Sequence, residues 1–307
     1  MELIRGVNGA VRRGAGCVVS IGTFDGLHLG HQALIARLAA HAETRAQPAV
    51  LLTFEPMPRE FLQPKDPPAR LTSLRERWRL LQGCGLDYLW LLRFGDALRN
   101  LTGEAFAQLL ARELRATLVV VGHDFRFGHK GAATAAVLAE AGMRLGFEVD
   151  VLDPVELDGE RISSTGIRAA LAASDFVRAR RWLGRPWSMR GRVLCGERLG
   201  RQLGFPTANL APGRRRAPVA GIFAVRVHGI GAQGLPGVAS LGTRPTVGGV
   251  ETRLEAHIFD FDKDLYGREI EVEFVAKLRD ELRFASLEAL TVQMRRDVQD
   301  ARRILAG

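Results

Sequence analysis

The chain has 307 residues, 47% hydrophobic and 25% charged, the balance of a globular protein long enough for two domains. Its net charge of +9 points to anionic partners, but 39 of the 43 basic residues are arginines, which raise the charge without marking a nucleic-acid surface, and the excess is spread over both halves. Three widely separated cysteines without a C-x-x-C pair exclude a zinc site and a disulfide framework, leaving buried thiols as the expectation; no apolar run reaches the roughly 18 residues of a membrane span, and residues 1–9 lack a signal peptide's apolar segment, so a cytoplasmic protein is expected.

Up to about residue 152 strands and helices alternate. Residues 18–21 read as a buried strand, and Gly22 breaks the run. The turn T-F-D-G and the segment His28-Leu-Gly-His31 follow, before a helix over 32–45. Further strands are expected at 49–54, 88–93, 117–122 and 147–152, and helices at 73–82, 102–115 and 134–145. Residues 55–68 form a proline-rich loop. Continuous apolar strands between amphipathic helices argue a parallel sheet covered on both faces, and ligands of such sheets bind beyond the strands' C-terminal ends. A helical stretch over 163–180 comes next, and the run R-R-W-L-G-R-P-W marks a domain boundary, giving domains 1–185 and 186–307. Beyond it, strands at 187–194, 221–227, 235–241, 253–259 and 269–278 suggest a small antiparallel β-barrel. A closing helix over 286–305 carries an apolar stripe from Leu287 to Leu305, expected to dock on the barrel.

Candidate sites follow from residue chemistry. His28 and His31, with Gly30 between them, sit where a strand hands over to a helix, a natural anion site; their N–H groups could bond phosphate oxygens. Ser163, Ser164, Thr165 and Arg168 make a second phosphate grip at a helix start. Phe125 and Phe127 could wall a flat aromatic ligand, with Asp124 beside them and Phe54 in T-F-E-P as a further wall; core packing is the competing reading. In the second half, Gly191, Gly196, Gly200 and Gly204 allow a loop close over phosphates, although the pattern is no Walker P-loop. Thr207 and Asn209 are hard oxygen ligands suited to Mg²⁺ carrying ATP. Glu255, in an expected strand, could take a hydroxyl proton during phosphoryl transfer.

The pairing of H-L-G-H with S-S-T-G-I-R resembles the nucleotidylyltransferase superfamily. With G-R-Q-L-G-F-P-T-A-N-L, S-L-G-T-R-P-T-V-G-G and F-D-F-D-K-D-L-Y-G added, nearly the whole chain resembles the bacterial bifunctional riboflavin kinase/FAD synthetases. The resemblance implies an N-terminal Rossmann-like domain that adenylylates FMN to FAD, and a C-terminal barrel that makes FMN from riboflavin, ATP and Mg²⁺. It implies that Gly22, Phe24, Asp25, His28, His31, Ser163, Ser164, Thr165 and Arg168 handle ATP in the first domain. Asp124, Phe54, Phe125 and Phe127 would face the flavin there. In the kinase, the four glycines would line ATP, Thr207 and Asn209 would hold Mg²⁺ and phosphates, and Glu255 would be the base. Some relatives assemble, so a homo-oligomer is allowed; no membrane or nucleic-acid partner is expected. The family commonly has histidine at the position of Met57 and, in some members, asparagine at that of Asp124. A kinase with an altered adenylyltransferase half is therefore an alternative; a basic nucleic-acid-binding regulator is a more remote one.

Overall fold

The computed structural model describes residues 1–6, 16–196, 200, 203–214, 216–246 and 249–306, and, within these, no side chains at 244–246 or 249–251. Parts of three expected features therefore lie outside the described residues: the first nine residues, 197–199 and 201–202 of the glycine-rich loop, and 247–248 of T-R-P-T-V-G-G. The chain forms two compact units, one of residues 1–68 with 74–163 and one of 69–73 with 164–307.

In the first unit, strands β1 (Glu2–Arg5), β2 (Cys17–Ile21), β3 (Ala49–Glu55), β4 (Tyr88–Arg93), β5 (Ala116–Gly122) and β6 (Glu148–Leu152) form one sheet in the order β1-β4-β3-β2-β5-β6. Every neighbouring pair is parallel. Side chains alternate between faces, and each face has its own core. Val19, Ile21, Val50, Leu52 and Val121 pack with Phe106 of α3 (Gly103–Glu113) and Leu138 of α4 (Ala135–Leu145). Val18, Leu51, Leu89 and Val120 pack with Ile35 and Leu38 of α1 (Leu29–Thr44) and Leu81 of α2 (Leu74–Leu81). This double coverage is why the central strands β2 to β5 are largely apolar rather than alternating, whereas the edge strands β1 and β6 carry charged residues.

Strand β1 departs from the sequence expectation. Its four residues bury only Ile4, so no pattern announces it; pairing with β4 makes it a strand. The proline-rich loop also holds a short helix, Pro58–Leu62. Pro58 at its first position is preorganised for helix, and Glu60 Oε2 accepts the Met57 N–H at 3.1 Å.

In the second unit, the expected single helix over 163–180 is two: α5 (Ser164–Ala172) and α6 (Phe176–Leu183). Ser174 takes φ +61°, and Asp175 caps α6 by accepting the Arg178 N–H at 2.9 Å. The break lets Phe176 reach the barrel, where it stacks on Trp187 and Phe274 and meets Phe223 edge-on. Strands β7 (Ser188–Leu194), β8 (Ala208–Leu210), β9 (Gly221–His228), β10 (Leu235–Thr246), β11 (Gly249–Ile258) and β12 (Glu269–Arg279) close into a barrel in the order β7-β8-β11-β10-β9-β12. Phe223, Ala239, Leu241, Leu254, Ala256 and Val272 fill it, each without exposed surface.

The C-terminal helix α7 (Leu287–Ala306) meets its expectation only in part. Val298, Ala301 and Leu305 dock on Ala224 and Phe259 of the barrel unit. Leu290 and Met294 face a cavity that Val298 also borders, and Leu287 is exposed. The cysteines also divide: Cys17 is buried and its thiol is pushed up to about 12 by desolvation, whereas Cys195 is exposed, against expectation.

Strand β6 is held at the sheet's edge by charge. Asp150 accepts from Arg37 at 2.5 and 2.6 Å and lies 2.8 Å from His41 Nε2. Partial burial pushes its carboxyl up, but these bonds outweigh that and hold it below the usual carboxylate range. The resulting stabilisation is complete above the ordinary aspartate value of about 4 and is lost as pH falls through the lower native value. Asp150→Asn should therefore lower the thermal midpoint at neutral pH. Its deficit against the parent should shrink as the melts are repeated toward about pH 3.

Candidate active sites

The first site sits where the sheet changes direction. From β2 the chain goes to β3 on one side, while β5 lies on the other, and the C-terminal ends of β2 and β5 are where sheets of this topology bind their ligands. Residues 22–31 leave β2 there, and 122–128 leave β5. The turn after β2 is tightly wound: Phe24, Gly26 and Leu27 have φ of +49°, +83° and +43°. Phe24, Asp25 and Leu27 are buried in it. His28 caps α1, its Nδ1 accepting the His31 N–H at 3.3 Å. The two imidazoles stack with centroids 3.6 Å apart at 19°, and Phe24 meets His31 edge-on at 5.3 Å. A Cβ on Gly30 would lie 3.2 Å from the His28 ring, so a larger residue would crowd the stacked pair. Gly22 lies beside the Phe24 ring.

One residue here escaped the reading of the sequence as a site. Arg77 is 1% exposed on the buried face of α2. It donates to the Thr23 carbonyl at 2.6 Å, to Thr53 Oγ1 at 3.3 Å and to Glu55 Oε2 at 2.9 Å. It thus ties together the chain segments leaving β2 and β3. An arginine on the inward side of an amphipathic helix was the available signal.

Among the aromatic candidates, Phe54 and Phe127 are core side chains; Phe127 packs on Phe106 at 5.7 Å. Phe125 is half-buried and stacks on Phe127 at 5.5 Å. Asp124 is largely exposed and pairs with Arg161. Met57 is buried. Ser163 ends the first unit. Ser164, Thr165 and Arg168 lie on the first turns of α5 in the second, with Arg168 Nε donating to the Ala69 carbonyl at 2.6 Å.

The second site is on the barrel. In β8, Asn209 stands opposite Glu255 of β11, and Thr207 precedes the strand two residues earlier, on the same face. Arg253 joins the two strands: its Nε lies 2.8 Å from Glu255 Oε1, and its Nη2 donates to Asn209 Oδ1 at 3.1 Å. Gly196 abuts the Asn209 carboxamide, where a Cβ would lie 2.4 Å from Nδ2. The Gly200 carbonyl accepts from Phe205 N–H at 2.7 Å, Gly204 turns with φ +85°, and Gly191 lies within β7. Two cavities meet at this point. One of about 310 Å³ is lined by Thr207, Ala208, Lys263 and Tyr266 among others. The other, about 630 Å³, lies between the barrel's outer face and α7, with Thr207, Glu255, Phe205 and Met294 in its wall. Thr207 belongs to both.

The family models match in the same order: FAD synthetase over residues 11–166 and riboflavin kinase over 183–305. The chain is 44% identical to the bifunctional riboflavin kinase/FMN adenylyltransferase of Escherichia coli (strain K12), covering 98% of this chain and 97% of that protein. The chain belongs to this bifunctional family. The Pseudomonas fluorescens member is 46% identical over 100% of this chain and 98% of its own. A solved structure described as a macrolide-efflux protein from Streptococcus pneumoniae has the same fold, with TM-score 0.80, 33% identity and 98% of each chain covered. Among the described residues no helix is long and apolar enough to cross a membrane.

Removing Arg77 would leave the Thr23 carbonyl and Glu55 without their shared donor inside the unit. Arg77→Met should destabilise the protein by about 3 kcal/mol in chemical denaturation. The exposed neighbour on the same helix, Arg75, should change it by no more than about 0.5 kcal/mol when replaced likewise.

Proposed function

We infer that the chain carries out two successive transfers from ATP: the barrel phosphorylates riboflavin to FMN, and the parallel-sheet domain adenylylates FMN to FAD with release of diphosphate. The observation that carries the kinase reading is Thr207, shared by a smaller and a larger cavity, with Glu255 in the wall of the larger. Two substrates placed in those cavities meet at one threonine, as an in-line transfer requires. ATP takes the cavity beside Lys263 and Tyr266; of the four expected glycines, Gly191 lies within β7 and Gly200 in the wall of the larger cavity, with Gly196 and Gly204 taken as part of the ATP side. Riboflavin takes the larger one. Glu255 accepts the proton of the ribityl 5′-hydroxyl as its oxygen attacks the γ-phosphorus, and ADP leaves.

Thr207 and Asn209 offer a hydroxyl and a carboxamide oxygen, the donor set of a hard cation that takes its other ligands from phosphates. Bound there, Mg²⁺ would neutralise phosphate charge. Arg253 fixes Asn209 and Glu255 relative to each other.

For the adenylyltransferase, the supporting geometry is the stacked His28–His31 pair at the start of α1, where the strand order reverses. The helix N-terminus and the imidazoles stabilise charge at the α-phosphate as an FMN phosphate oxygen attacks it. Gly22, Phe24 and Asp25 shape that turn, and Ser163, Ser164, Thr165 and Arg168 form the second phosphate grip. Asp124 and Phe125 take the flavin side, with Phe54 and Phe127 backing the wall from the core. The functional division stays between residues 185 and 186, and the ATP-dependent chemistry suits the cytoplasm.

Riboflavin, ATP and Mg²⁺ incubated with the protein should yield FMN and then FAD when the flavins are separated over time. His31→Ala should cut FAD formation by about a hundredfold or more while FMN still accumulates; loss of both products would sink the two-site assignment. Glu255→Gln should slow riboflavin phosphorylation by about a hundredfold or more yet leave supplied FMN convertible to FAD.

A further inference from the structure

The register of the barrel draws a line through the larger cavity. Asn209 stands opposite Glu255, Glu255 opposite Ser240, Ser240 opposite Ile222, and Ile222 opposite Arg279. The last four line the same cavity. Around the closed barrel wall, Glu255 to Arg279 is three strand spacings, a curved path of ~14 Å at about 4.8 Å each that bounds their straight separation from above. A polyol chain joined to a fused ring system can follow such a wall from one end to the other.

At the far end of that line the wall carries Arg279, Glu281, Arg283 and Asp297, of which Arg279 and Asp297 form a largely buried ion pair. Arg279 Nε and Nη2 donate to Asp297 Oδ1 and Oδ2 at 2.9 and 2.7 Å, and Gln293 donates to Oδ1 at 2.9 Å. Arg279 Nη1 donates to the Asp280 carbonyl at 2.9 Å, and the guanidinium lies 5.8 Å from the Phe284 ring. Three of its five N–H groups are used this way, which leaves one on each Nη among the described residues. The Asp297 side chain is 6% exposed and that of Arg279 17%. A buried ion pair is a poor way to hold a helix, because apolar residues of similar volume do so as well or better. Leu290 and Met294 on the same helix already supply apolar cavity wall.

We propose that Arg279 is a specificity-determining residue of the kinase reaction, donating to a carbonyl on the polar, uracil-like edge of the flavin ring, and that Asp297 is the positioning residue that aims it. The pair makes the site a ruler: the ring edge docks on Arg279, and the chain's terminal hydroxyl is delivered to Glu255. This rests on the kinase reading of the barrel.

The deciding experiment is steady-state kinetics of FMN formation on the full chain, varying riboflavin and ATP separately. Asp297→Asn and the apolar double variant Arg279→Met/Asp297→Leu should both raise the riboflavin KM about ten- to hundredfold, with the ATP KM within about twofold. A double variant that keeps the parent's riboflavin KM would show that the pair only seats α7, and would overturn the proposal. If the double variant does not fold, Arg279→Lys decides. It keeps the charge against Asp297 but loses the planar fork, so an unchanged riboflavin KM there also overturns the proposal. Full kinase activity in Glu255→Gln would instead remove the reading of the barrel on which the ruler depends.

Discussion

The kinase half depends on the closure of its barrel by the three-residue strand β8. Val193 and Leu194 of β7 pair with Leu210 and Asn209 on one side, and Ala256, Glu255 and Leu254 of β11 pair with Ala208–Leu210 on the other. That pairing sends Ala208 inward to the core and Asn209 outward beside Glu255. A one-residue slip would exchange the two, burying an amide and moving the oxygen donors away from the carboxylate. Register, more than any single contact, therefore sets the chemistry. Arg253, bonded to both Asn209 and Glu255, reinforces the same alignment from the side.

The first unit solves a comparable problem with a turn. After β2, three residues in the left-handed region coil the chain so that Phe24 and Leu27 anchor it in the core, and His28 emerges as the cap of α1. Within the histidine pair each ring rests on the other, and Phe24 supports His31 from its edge. Arg77 holds the turn's start to the neighbouring strand exit. In the direct transfer proposed for this domain, preorganisation of this kind would serve the rate through positioning and fixed charge.

Much of this was legible in the residues. Five of the six parallel strands and the four main helices of the first unit are marked by apolar runs or periodicity, although β6 at the sheet's edge has no fully buried residue. The sixth strand, β1, has only Ile4 to bury and depends on β4 for its existence. Strand β8 was hidden for a related reason: A-N-L alternates over only three residues, too short a run to announce a strand, and pairing with β7 and β11 is what makes it one. The apolar stripe of α7 was visible, but its division was not. Ala301 and Leu305 meet the barrel, Leu290 and Met294 wall a cavity and Val298 borders both, and a sequence shows the stripe without showing what faces it.

By itself the sequence determined the fold classes of both halves, the family, and the residues with chemistry to offer, because these follow from local period and from motifs whose members are close along the chain. The tertiary structure alone decided which of them share a site. Glu255, Thr207 and the Arg279–Asp297 pair are brought to the wall of one cavity by strand pairing and helix docking between segments as many as 90 residues apart. Phe54 and Phe127 took the core instead of an open wall for the same reason: burial is settled by what packs against a ring, and no pattern along the chain records that.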